Sequence, residues 1–202
     1  MFKENSSMIG KVKEALHPTP LRRRIMDALL RLKMQLSRLE RTAQKMQQRD
    51  AALYSKCVTA VQQKNSELAS IYAGECAEIR KIAKVILHSQ LALEQVALRL
   101  DLVLQFGDVA QSMKPVAAVV KTIKTQLQGI LPEVSMELAS VNESLEDLAS
   151  QVGDAAGESF AIPVSGEDAQ KILGEANIIA EQKMRERFPE LPPVPVQEAR
   201  IQ

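Results

Sequence analysis

The chain has 202 residues, with four Phe, two Tyr and no Trp, and is rich in Ala, Leu, Gln, Glu, Lys and Arg. These strong helix formers, with so few aromatics, predict an all-α protein of long helices packed side by side and argue against a sheet or a deep ligand pocket. A net charge of +1 conceals a split: residues 1–50 carry twelve Lys/Arg against five Asp/Glu, residues 101–152 three against seven, and residues 153–202 five against nine. A basic head suits an anionic partner, and an acidic tail competes for the same surface.

Residues 1–19 form an N-terminal segment in which Phe2, Ile9, Val12 and Leu16 fall at helical spacing among Lys3, Lys11 and Lys13. It reads either as a short amphipathic helix touching a membrane or as a frayed, locally packed helix. His17-Pro18-Thr19-Pro20 ends it, and Thr19 and Pro20 suit the cap and first turn of the next helix.

From Leu21 to Ala73 there is neither glycine nor proline. Ile25, Leu29, Leu32, Leu36, Leu39, Ala43 and Met46 step by three or four and form an apolar seam. Arg24, Arg31, Arg38 and Lys45 recur every seven residues and form a cationic stripe beside it. Asp50 falls where the seam expects an apolar residue. The reading places the end of the first helix near Arg49 and starts the second at Ala51, so that the two fold as a long antiparallel hairpin or continue as one rod. The second helix carries Leu68, Tyr72, Ile79, Ile82, Ile86, Leu93, Ala97, Leu100 and Leu104 towards Gly107.

Shorter elements follow. Pro115–Gln128 reads as a helix lined by Val116, Val119, Val120, Ile123 and Leu127 and closed by Gly129. Pro132 opens an acidic amphipathic helix, Glu133–Ser150, with Val134, Leu138, Val141, Leu145 and Leu148 inside. The helical core thus spans 20–152, and 153–166 is a linker by composition. In the C-terminal region, 167–202, Ser165 caps a helix bearing Ile172, Leu173, Ala176, Ile179, Ala180 and Met184. After Arg187 the prolines of FPELPPVPV impose extended chain.

Chemistry for catalysis is absent from this reading. His17 and His88 stand alone, Cys57 and Cys76 have no metal-ligand spacing, and there is no phosphate loop or nucleophilic triad. We therefore expect no enzyme, no metal and no cofactor. No run of about 18 apolar residues appears, so no membrane-spanning helix is predicted, and without a signal-peptide core the chain is placed inside the cell. The informative group is cationic: Arg22, Arg23, Arg24, Arg31, Arg38, Arg41 and Lys45. It reads as a solvated face of the hairpin or as a binding face for an anionic membrane, where each cation contributes about 1 kcal/mol. Nucleic acid is the rival partner and is not expected, because the stripe has no stacking aromatics or groove-reading polar groups.

This layout of basic first helix, longer second helix, two shorter helices and acidic tail resembles the ESCRT-III family, and the short chain and tail look most like its archaeal cell-division (Cdv) members. The tail is similar to the family's helical motif for the MIT domain of an AAA ATPase, D/E-x-x-L-x-x-R-L-x-x-L-K/R. Glu181, Met184, Arg187, Phe188 and Leu191 match it, with Pro189 and Pro192 as departures. Phe188, Pro189, Leu191, Pro192, Val194 and Pro195 look closer to the family's second, extended proline-rich motif. The resemblance implies a subunit that is closed in solution, opens to polymerise with itself or with paralogous subunits on an anionic membrane, constricts that membrane in cell division, and is extracted by the ATPase. It implies a peripheral position on the inner face of the membrane, at the division site. The alternative from the residues alone is a BAR-type or other coiled-coil scaffold that binds membranes without polymerising.

Overall fold

A computed structural model describes residues 21–106, 109–155 and 166–193. These form five helices: α1 (Leu21–Gln62), α2 (Ser66–Phe106), α3 (Val109–Leu127), α4 (Pro132–Ala155) and α5 (Glu167–Arg187). The amphipathic reading of residues 2–16, the Thr19–Pro20 helix start, Gly107, Ser165, Val194 and Pro195 lie outside the described residues.

The long antiparallel hairpin is present, but its turn is not at Asp50. α1 runs without a break through Asp50 to Gln62, so the helix boundary expected at Arg49–Ala51 is corrected by thirteen residues. The reversal occurs at Gln63–Asn65, where Lys64 takes a left-handed φ of 57°. Asn65 N–H donates to Ala60 O at 2.9 Å and Lys64 N–H to Val61 O at 3.0 Å, the paired bonds of a Schellman end built without glycine. Asn65 then caps α2, its Oδ1 accepting from Leu68 N–H at 3.1 Å. A polar Lys-Asn pair, rather than Gly or Pro, makes the turn. That is why the sequence offered no visible stop.

At about 1.5 Å per residue, α1 and α2 each extend roughly 60 Å. Their shared seam is dry where it is leucine-rich: Leu32 and Leu39 of α1 and Ile86, Leu93 and Leu100 of α2 have no exposed surface. Each such side chain contributes about 1.5–3 kcal/mol by leaving water. Towards the turn the seam thins to Ala43, Cys57, Ala60 and Ala69, with Asp50 buried among them.

α3 and α4 form a second, shorter hairpin turned at Gly129, with Leu131 N–H donating to Leu127 O at 2.8 Å. All ten apolar positions predicted for this pair, from Val116 to Leu148, are buried. α3 begins six residues earlier than its proline suggested, so Pro115 lies inside the helix instead of opening it. α4 runs on to Ala155, beyond the expected Ser150. α3 and α5 both pack on α2, and α4 packs on α1. α2 is therefore covered on three sides in its second half, which explains its buried run Leu91-Ala92-Leu93 and Val96-Ala97.

α5 starts after Gly166, which makes no side-chain cap bond. The cap position is thus Gly166 rather than the expected Ser165, and Glu167 and Asp168 in the first turn complement the helix dipole. Ile172, Ala176 and Ala180 are buried against the body, while Ile179, expected inside, is 39% exposed.

Candidate functional site

The site begins with the one charged residue in the hairpin seam. Asp50 is 2% exposed. Arg80 of α2 meets it with both sides of its guanidinium, Nε donating to Oδ1 at 2.7 Å and Nη2 to Oδ2 at 2.9 Å. Two parallel charge-assisted bonds fix the guanidinium plane and leave Nη1 pointing outward. The bonds to Asp50 push Arg80 further above its already high pKa, so its charge is permanent.

The free Nη1 donates to the backbone carbonyl of Pro189 at 2.8 Å. The guanidinium carbon also lies 5.7 Å from the centroid of the Phe188 ring, within cation–π range. Phe188 is 7% exposed and belongs to the same apolar cluster as Leu93 and Ile123. Its extended backbone, φ −123°, ends α5 because the following proline disfavours helix. Asp50 therefore positions Arg80, and Arg80 holds the start of the proline-rich tail.

α5 is tied to α2 at further points along the same edge. Lys84 Nζ donates to Glu181 Oε1 at 2.9 Å, and this bond holds the Glu181 carboxyl below its ordinary pKa. His88 Nε2 donates to Leu173 O at 3.1 Å, so this histidine ties α5 to α2. Beside the pair, Cys76 donates weakly to Asp50 O at 3.9 Å. Burial, and after it the Asp50 charge, push the Cys76 thiol up to about 11. A thiol so protonated is no nucleophile at neutral pH. Cys57 is likewise buried and free.

The predicted tail residues are brought together here. Met184, Arg187, Leu191 and Pro192 are half-buried, Pro189 is exposed and Phe188 is enclosed. The residue expected to anchor a partner is thus already seated on its own hairpin.

The seven cations divide. Arg24 donates to Gln151 Oε1 at 2.8 Å and lies 3.6 Å from Asp147 of α4. Arg31 donates to Ser140 Oγ at 3.0 Å. The acidic helix α4 therefore does lie against the basic head. Arg22, Arg23, Arg38, Arg41 and Lys45 remain exposed, although Arg41 Nε also returns a bond to Ser37 O at 3.1 Å.

Among the described residues no three His, Cys, Asp or Glu side chains are grouped as metal ligands, and no helix is long and apolar enough to cross a membrane. Sequence reasoning missed the Asp50–Arg80 pair. The signal was available: an acid at a seam position of one helix calls for a cation on the facing one.

The Snf7 family profile matches residues 27–199, which takes in almost all of α1, the other four helices and the tail. The chain belongs to the Snf7 family. This is the ESCRT-III family that the layout resembles, and it takes the place of the BAR-type alternative. Two relatives come from Sulfolobus acidocaldarius. This Snf7-family chain is 40% identical to Cell division protein B1 over 182 residues, 90% of this chain and 85% of that protein. It is 35% identical to Cell division protein B over 175 residues, 87% of this chain and 67% of that protein. No solved structure matches it.

Proposed function

We propose that this Snf7-family chain is a polymer-forming, membrane-remodelling subunit of cell division, and that the fold described above is its closed form. Membership in the family and the likeness to two cell division proteins support the activity. The observation that carries the closed reading is Phe188 and Pro189 seated on Arg80, itself locked by Asp50. In this reading α5 and the tail cover one edge of α2, and release of the tail frees that edge for paralogous or identical subunits.

The same contact sets the order of events. Phe188 cannot lie on Arg80 and also fill a pocket of an MIT domain, so docking of an AAA ATPase on Met184, Arg187, Phe188 and the prolines through Pro195 requires an undocked tail. The exposed cations Arg22, Arg23, Arg38, Arg41 and Lys45 supply attraction to an anionic membrane, each worth about 1 kcal/mol near its surface. In the closed form Arg24 and Arg31 are partly engaged by α4, so opening adds them to that face.

The test is polymerisation of the full chain on phosphatidylserine-containing vesicles, followed by sedimentation and electron microscopy. Phe188→Ala should assemble at lower concentration than the parent chain and should lose affinity for a cognate MIT domain. Assembly that is unchanged by Phe188→Ala would remove the tail contact from the control of polymerisation.

A further inference from the structure

Near its C-terminal end α2 turns Val96, Ala97, Leu100 and Val103 into the core, while on its opposite side Leu98, Leu102 and Phe106 are 63%, 53% and 77% exposed. Steps of four residues keep these three on one arc of the helix. Single exposed apolar side chains need no explanation, but a row of three large ones does. Arg99 borders the row on one side and Asp101 on the other. Lys33 Nζ of α1 donates to Asp101 Oδ2 at 3.1 Å, so this ion pair separates the row from α1 and fixes which part of α1 runs beside it.

Because α1 and α2 are antiparallel, Leu21 lies roughly 18 Å along α1 from that pair and Phe106 roughly 8 Å along α2, towards the same end. The chain therefore enters α1 about 10 Å past Phe106. Residues 17–20, fully extended, span about 13 Å, so Leu16 is within reach of Phe106.

We propose that the N-terminal segment, which lies outside the described residues, docks on this row of α2 as an amphipathic helix running parallel to it. The spacing supports the match. Leu16, Val12 and Met8 step back by four, as Phe106, Leu102 and Leu98 do, and Ile9 falls on the same arc as Val12 and Leu16. Pro18 and Pro20 interrupt the helix between the segment and α1, as a fold-back requires. Charge selects α2 over α1: the solvent face of α1 carries Arg22, Arg23, Lys33, Arg38 and Arg41 and repels Lys3, Lys11 and Lys13. In the register that sets Leu16 on Phe106, Lys13 borders the segment's apolar arc on the side of Asp101. A second copy of the chain fits less well, because antiparallel pairing of two such rows about a two-fold at Leu102 sets Asp101 against Asp101. The dock needs neither lipid nor a second subunit, so it stands apart from the polymer and membrane reading. While docked, the segment's apolar side chains are withheld from any other partner.

The chain has no Trp, so Leu102→Trp places a single reporter at the centre of the row in the full chain. In dilute solution without lipid its emission should be blue-shifted and shielded from acrylamide. Adding Val12→Ser/Leu16→Ser, which alters no described helix, should weaken docking roughly tenfold or more, shift the emission to the red and open the probe to the quencher. In a separate variant, Val12→Cys/Leu102→Cys, a short bismaleimide should join the two positions within one chain, since Cys57 and Cys76 are buried. A reporter as open to quencher in the full chain as in the Val12→Ser/Leu16→Ser background, or no cross-link within the monomer, would overturn the dock. Shielding that grows with protein concentration would assign the row to a second copy. Shielding that appears only on vesicles of phosphatidylcholine with phosphatidylserine would assign it to lipid, and either result overturns the inference.

Discussion

The two faces of α2 are held by different physics. Against α1 it packs leucine and isoleucine, with Leu32, Leu39, Leu93 and Leu100 wholly withdrawn from water. Against α5 it meets a narrow apolar ridge of Ala169, Ile172, Ala176 and Ala180, edged by Lys84–Glu181 and ended by Arg80 on Pro189. Alanines bury little area, and a half-exposed ion pair adds little more. The hairpin seam is thus the permanent part of the molecule and the α5 dock its separable part. One residue serves both: Arg80 neutralises Asp50 inside the seam and holds the tail outside it.

That shared residue gives the largest expected effect. Arg80→Ala leaves the Asp50 carboxylate buried and unpaired, at a cost of about 3–5 kcal/mol, and also undocks the tail. Chemical denaturation and proteolysis after Arg187 should both report the change. The paired replacement Asp50→Leu/Arg80→Leu sharpens the comparison, because it removes the buried charge as well as its partner. Its hairpin should recover most of the lost stability while the tail stays cleavable. A double variant with a protected tail would mean that Phe188 docks without Arg80.

Within the seam alone, Leu39→Ala should cost about 2–5 kcal/mol of global stability through the lost burial and the cavity it leaves. It should leave α5 no more accessible than in the parent chain below the unfolding transition. Ala176→Glu does the converse, forcing a charged side chain into a fully buried site on the dock. Hydrogen exchange should then rise across Glu167–Arg187 and stay low across Ile86–Leu100. Uniformly raised exchange would show that seam and dock unfold together.

Much of this division was legible in residue spacing. The ten apolar positions of α3 and α4, and most of the α1 seam, are buried where three-and-four stepping put them. The chain reversal was not, because Lys64 adopts the left-handed conformation that glycine usually supplies, and Asn65 alone carries the capping signal. Asp50 was misleading for a related reason. A single acid in an apolar stripe looks like a break until its partner on another helix is known, and Arg80 lies thirty residues away. The tail residues were singled out by resemblance, but their intramolecular seat depends on that same unseen pair.

Cys76, at the edge of both regions, makes the seam sensitive to alkali. Its thiol is raised to about 11 in the fold from an ordinary 9.0, so the folded chain holds a proton that the unfolded chain gives up. The resulting stability is complete below pH 9 and is lost as pH rises towards 11, by about 2–3 kcal/mol in all. Denaturant midpoints measured across that window should fall for the parent chain and fall less for Cys76→Ala. Parallel slopes for the two chains would place the alkaline loss elsewhere.

The smallest effect belongs to Lys84–Glu181 and is confined to the dock. Lys84 holds the Glu181 carboxyl below its ordinary pKa, so the folded chain favours the ionised form. The contribution is therefore present above the ordinary carboxylate range and disappears as pH falls through the lowered value. Both groups are open to solvent, so salt should screen the pair as effectively as acid removes it. Glu181→Gln should raise proteolytic access to α5 slightly at low ionic strength and leave it unchanged in high salt, with no change in the denaturation of the hairpin. A salt-independent effect of the variant would mean that Glu181 acts through its packing beside Ala180 rather than through its charge, and the dock would then owe its specificity to Arg80 and Phe188 alone.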